Sequence, residues 1–222
     1  MSVKLLSESM DATITDVDQA RIETILAFWF KKKELSAPQI DGRMDVWFGE
    51  DQALDQEIRN EFLRDVEEAS SGRLDHWVKT PKGRLALILV LDQFRRNIYR
   101  GTPEAYSLDR KALKICVEGA ISRGDQGLTP IQRVFFYMPL QHAESLKVQT
   151  RSVPIYKRLT EVVSPTYVET FLTVLQFAEL HHDIIERFGR FPHRNAIIGR
   201  ENTPEESEYL TGVAPALESA AG

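Results

Sequence analysis

Apolar residues recur along this chain at helical spacing, and almost nowhere in the alternation that a half-buried strand shows. Residues 16–31 place Ile22, Ile25, Leu26 and Trp29 on one stripe, and residues 51–69 do the same with Leu54, Ile58, Phe62 and Val66. The run Leu85-Ala-Leu-Ile-Leu-Val-Leu91 is apolar on every side, which predicts a helix buried all round. Helix starts share one spelling. Thr80-Pro81, Thr102-Pro103, Thr129-Pro130, Ser164-Pro165 and Thr203-Pro204 each set a capping hydroxyl before a proline, whose missing donor costs nothing at the first helical position. Helices are therefore expected from near 81, 103, 130, 165 and 204, with first-turn acids at Glu104, Glu205 and Glu206. Ser107 can cap a helix carrying Leu108, Ala112, Ile115 and Cys116 that ends near Gly124, and a short turn is expected around Leu74 and Trp77. Residues 34–50 and 211–222 read as loop and tail. Pro139 and Pro154 fall inside helical patterns and should break or kink them.

These elements predict an all-α chain. The helix-opening prolines are 22, 27, 35 and 39 residues apart, where a regular tetratricopeptide array keeps about 34. A stack of helical hairpins with degenerate repeats is the expected architecture. At 222 residues and 42% hydrophobic, one core suffices, so residues 1–222 are expected to form a single domain. A net charge of −5 lacks the basic face that nucleic-acid backbone demands, so no nucleic-acid partner is expected. The longest apolar run, 85–91, is far short of the roughly 20 residues that span a bilayer. The first ten residues lack the apolar stretch of a secretory signal. Cys116 is the sole cysteine, which excludes an intramolecular disulfide and a multi-cysteine zinc site. A cytoplasmic location is expected.

The candidate chemistry lies where polar residues interrupt apolar faces. The buried run ends abruptly in Asp92-Gln-Phe-Arg-Arg-Asn97. Asp92 shares the face of Leu85, Ile88 and Leu89 and has Arg95 and Arg96 three and four residues on, the spacing of a helical ion pair. If this end opens onto a pocket, Arg96 and Asn97 face it. His142 lies on the inward face of a helix expected over 130–149. Glu144, two residues on, stands about 200° round an ideal helix, so the pair cannot share a metal ion unless Pro139 distorts the turn, and no metal or cofactor is expected. His181 lies among Val174, Phe177, Ala178, Ile184, Ile185 and Phe188 on the apolar stripe of helix 165–189, with His182 at its edge. Gly189 is a natural C-cap, and Arg187 and Arg190 border the negative helix end. His193, Arg194 and Asn195 follow Pro192 in a stiff turn, where guanidinium, imidazole and amide groups can hold a carboxylate or phosphate.

Several of these segments occur together elsewhere. Phe28-Trp-Phe30, Gly83-Arg-Leu-Ala-Leu-Ile88, Asp92-Gln-Phe94 with Arg96-Asn97, Pro139-Leu140 with His142 and Glu144, and Arg187-Phe-Gly-Arg-Phe-Pro-His-Arg-Asn195 with Gly199-Arg200 resemble, in order and spacing, the family catalogued as domain of unknown function 924. The resemblance covers about residues 22–210. It implies a tetratricopeptide-like α/α superhelical stack in one domain, and no activity. The family usually has proline before the Arg-Asn pair, where this chain has Arg95; a proline would bend or end the helix there.

Two readings of function follow. In the first, a small anionic molecule binds at Asp92, Arg96, Asn97, Glu144, Arg190, His193, Arg194 and Asn195, with His142 or His181 supplying acid–base chemistry, hydrolysis included. In the second, the chain is an interaction scaffold for a protein partner, and the same residues are internal networks that fix loops. No nucleophile motif or Gly-rich phosphate loop is present to narrow the choice.

Overall fold

A computed structural model of the chain describes residues 13–31 and 35–218, with side chains described through residue 212. All regular structure among the described residues is helical. Helix α1 (Asp16–Phe30) opens on a reciprocal capping box between Thr15 and Asp18. Helix α2 (Ala37–Phe48) occupies most of a segment that reads as loop. Ser36 and Gln39 form its capping box, and of its residues only Ile40 and Trp47 are buried, too sparse a stripe for periodicity to register. Helix α3 (Gln52–Ser70) and a 3-10 turn (Asp75–Lys79) lead to the centre of the fold.

That centre is one rod in three segments: α4 (Pro81–Ile88), a π-helical segment (Leu89–Phe94) and α5 (Arg95–Ile98). Thr80 caps it through the Gly83 N–H. Every residue from Gly83 to Phe94 is buried, as an all-round apolar run requires. The rod packs against α1, α3 and two later helices, α6 (Asp109–Ile121) and α7 (Pro130–Gln141).

Pro103 opens only a 3-10 turn (Pro103–Tyr106), because the Thr102 hydroxyl donates to the Tyr99 carbonyl instead of capping. Ser107 does not cap α6 either; it donates to the Glu104 carbonyl and accepts from Arg95. The periodicity that runs one helix through 130–149 is interrupted at 142–145. There the Gln149 amide donates to the carbonyls of Gln141 and Ala143 at 2.7 and 2.9 Å, which satisfies the free end of α7 without another turn. Pro139 and Pro154 end neither α7 nor α8 (Leu146–Val162).

Helix α9 (Val168–Phe188) pairs with α8 and stops at Gly189, whose φ of 70° is left-handed. Helix α10 (Pro204–Glu218), begun by a Thr203–Glu206 capping box, takes up much of the segment that reads as tail. The N-terminal residues read for a secretory signal, Glu34 and residues 219–222 lie outside the described residues. One apolar cluster runs from Ile22 to Ala178, and a smaller one joins Ile184, Ile185 and Phe191. Among the described residues no helix is long and apolar enough to cross a membrane.

Replacing Ile88, which is wholly buried in the rod, by Ala should cost about 2–5 kcal/mol in chemical denaturation. A loss under about 1 kcal/mol would mean that the rod is not tightly packed.

Candidate functional site

A π-helical turn adds a residue to the helical repeat, and here it carries Asp92 into the core with no exposure. Asp92 Oδ1 accepts from Arg96 Nη1 at 2.9 Å and from His142 Nδ1 at 2.8 Å, while Oδ2 accepts from Gln93 Nε2 at 2.6 Å. Burial pushes this carboxyl up, but the Arg96 guanidinium, His142 and the hydrogen bonds outweigh burial and hold it well below the usual carboxylate range. Arg96 Nη2 in turn donates to both oxygens of Asp109, at 2.9 and 3.0 Å. Asp109, the first residue of α6, also accepts from Arg194 Nη1 at 3.2 Å.

Arg194 is 5% exposed. Its guanidinium carbon lies over two rings, 4.5 Å from the centroid of Phe191 and 4.6 Å from that of Tyr106. The bond to Asp109 is its single side-chain hydrogen bond among the described residues, and its Nε is buried without a partner.

Three imidazoles belong to the same cluster. His142 ends α7 and His181 faces inward from α9, their rings 6.4 Å apart and nearly perpendicular. His181 Nδ1 meets Gln141 Oε1 at 3.0 Å. The Phe191 ring lies 5.4 Å from His181 and 5.5 Å from His193. Both ring nitrogens of His193 are buried and lack a hydrogen-bond partner. Burial, then the charges of His142 and Arg194, lower His181 to about 3. Burial and Arg194 lower His193 likewise to about 3. Burial and Arg96 lower His142 despite Asp92. All three rings are therefore neutral near pH 7.

The turn that carries His193 and Arg194 is clasped on both sides. Glu144, freed by the break after α7, accepts from the Phe191 N–H and from both terminal nitrogens of Arg200, each at 2.8 Å. Arg190 donates to both oxygens of Glu206 at 2.6 and 2.7 Å, and Asn195 Nδ2 donates to Asn202 and Glu206. Arg187 pairs with Glu205 at 2.7 Å.

The structure thus brings together Asp92, Arg96, His142, His181, His193 and Arg194, with Glu144, Arg190 and Asn195 holding the turn. Asn97 does not join them. A helix turns roughly 100° per residue, so Asn97 faces α3 and donates to Asp55 at 2.8 Å. Arg95 also points away from Asp92, to Ser70, Ser107 and the Glu104 carbonyl. Sequence reasoning passed over Asp109, Tyr106 and Gln141. Asp109 reads as an ordinary first-turn acid, and its partners are distant in sequence. Among the described residues, His182, Asp183 and Glu186 converge closely enough for a metal ion on the outer side of α9; the three cluster histidines do not.

Asp92→Asn should destabilise the fold by about 3–5 kcal/mol, since it leaves the buried Arg96 short of a counter-charge; an unchanged melting temperature would contradict that pairing. The unfolded chain protonates histidine near 6.5, whereas folded His181 and His193 take up protons only near 3. Between these limits the unfolded state binds more protons, so stability should fall as pH drops from 6.5 towards 3. Asp92, with its pKa depressed, adds a loss that begins lower, in the carboxylate range. His181→Gln should flatten the melting-temperature profile between pH 6.5 and 4.5, roughly the range between the free histidine and carboxylate values. An unaltered profile would show that His181 does not titrate in this way.

Residues 25–213, which contain every cluster residue, match the family described as bacterial protein of unknown function (DUF924). No curated protein matches the chain. A solved structure, that of the protein of unknown function ATU0120 from Agrobacterium tumefaciens, is similar at a TM-score of 0.71 and 36% identity, covering 87% of this chain and 98% of that one. The family match over most of the chain and the structural likeness agree: this chain belongs to the DUF924 family of bacterial proteins of unknown function.

Proposed function

We propose that this protein binds a small molecule bearing a carboxylate or phosphate, and that the oxyanion docks on Arg194. The carrying observation is that this buried guanidinium makes one hydrogen bond and keeps its Nε sealed without a partner. A guanidinium has five donors, and an unmet buried donor costs about 1–3 kcal/mol, more when charged. The rings of Tyr106 and Phe191 pack against the group, and Asp109 holds Nη1. The remaining edge, Nε with Nη2, has the fork geometry that grips two oxygens of one anion. His193 adds two buried ring nitrogens that no protein group meets. His142 and His181 are the groups suited to proton transfer to a bound molecule.

The scaffold reading draws support from the internal clasps, Glu144 with Arg200 and Arg190 with Glu206. Those clasps account for the placing of the turn, but not for the unmet donors of Arg194 and His193.

Isothermal titration and thermal shift against small carboxylates and phosphates test the proposal. A ligand at about 100 times its Kd adds about 2.7 kcal/mol of stability, and Arg194→Lys, which keeps the charge and loses the fork, should abolish the shift. Arg158→Ala, on the outer surface of α8, should leave it intact. If no member of the panel shifts the wild type while Arg194→Lys lowers stability, the cluster is structural and the scaffold reading stands.

A further inference from the structure

We infer that the ligand carries a hydroxyl group close to its oxyanion, and that this hydroxyl donates to Nε2 of His142. The inference rests on the anion site proposed above and narrows its ligand to hydroxy-carboxylates and phosphorylated alcohols.

An ionised carboxylate offers only lone pairs. Asp92 Oδ1 lies 2.8 Å from His142 Nδ1, and Asp92 is already receiving protons from Arg96 and Gln93. The ring proton of His142 must therefore sit on Nδ1. With the ring neutral, as burial and the Arg96 charge keep it, Nε2 bears a lone pair and can only accept. No hydrogen bond from a protein group to Nε2 is found among the described residues, and unlike the ring nitrogens of His193 it is not sealed from solvent. His181 repeats the pattern, its Nδ1 turned to the Gln141 Oε1 acceptor at 3.0 Å. Its ring stands edge-on to that of His142, and burial together with the Arg194 guanidinium disfavours its protonation. The His181 ring links the two groups, 6.4 Å from that of His142 and 5.4 Å from that of Phe191, over which Arg194 lies, so the donors of Arg194 and the acceptor of His142 belong to one cluster.

A bare carboxylate or phosphate meets the donors but turns more lone pairs towards His142, whose Nε2 is itself an acceptor and cannot pair with them. An ammonium group would satisfy it, but beside Arg96 and Arg194 a further cation is unfavourable. A hydroxyl satisfies it without charge.

Matched pairs test the inference in isothermal titration: malate against succinate, lactate against propionate, and glycerol 3-phosphate against propyl phosphate. The hydroxylated member should bind several-fold more tightly, up to about 10-fold, the net effect of one hydrogen bond. In His142→Asn the amide can still donate to Asp92 where Nδ1 did, but the Nε2 acceptor is gone. The preference should then collapse towards parity while anion binding persists. Nitrogen-15 NMR of the ligand-free wild type gives a second reading, with His142 expected as the Nδ1–H tautomer. Equal affinities within every wild-type pair, or the Nε2–H tautomer at His142, would overturn the inference and leave the anion site standing. Failure of both members of every pair to bind overturns the two together.

Discussion

Asp92 sits in the core with no exposure, and its carboxylate stays ionised because Arg96 and His142 both bond the same oxygen. Removing a carboxylate from water costs several kcal/mol unless a counter-charge and hydrogen bonds replace the solvent. That requirement propagates. Arg96 is itself buried and reaches on to Asp109, which draws the start of α6 to the end of the central rod. Asp109 then holds Arg194 from the turn after α9, and His142 anchors the break between α7 and α8. One buried charge thus organises four separate parts of the chain around a single point.

The pairing around that point is uneven. Asp92, Arg96 and Asp109 share hydrogen bonds in a continuous chain, and the clasps of Glu144 and Glu206 match each acid with an arginine. Arg194 and His193 are held as firmly by the clasped turn, yet they spend little of their hydrogen-bonding capacity on the protein. A rigid group with unspent donors is preorganised for a ligand, since little conformational freedom is lost when the partner arrives. Arg96 and Arg200 also keep a buried Nε without a partner, but each donates through both terminal nitrogens, where Arg194 donates through one; that difference favours the ligand reading proposed above.

Much of the fold was legible because its signals are local. The Thr-Pro pairs at 80, 129 and 203 cap helices, and the all-round apolar run is the buried rod. Where the outcome depended on partners distant in sequence, periodicity gave no warning. Thr102 and Ser107 found other hydrogen bonds, and Gln149 turned back to close α7. The histidines at 142 and 181 stood out as polar residues on apolar faces, and both lie in the cluster. Asp109 carried no such mark, since an acid in the first turn of a helix is ordinary. Asn97 sat beside Arg96 in sequence but on another face, against Asp55. The π-helical segment that carries Asp92 has no signature in the residues themselves.

In the proposed reading the free edge of Arg194 faces the ligand. Nitrogen-15 NMR can follow the Arg194 Nε–H directly while malate is added. The account predicts that this resonance shifts downfield and exchanges more slowly with water as the site fills, with the His142 Nε2 signal moving alongside it. An Arg194 Nε–H that stays unchanged while malate binds elsewhere on the protein would contradict the account.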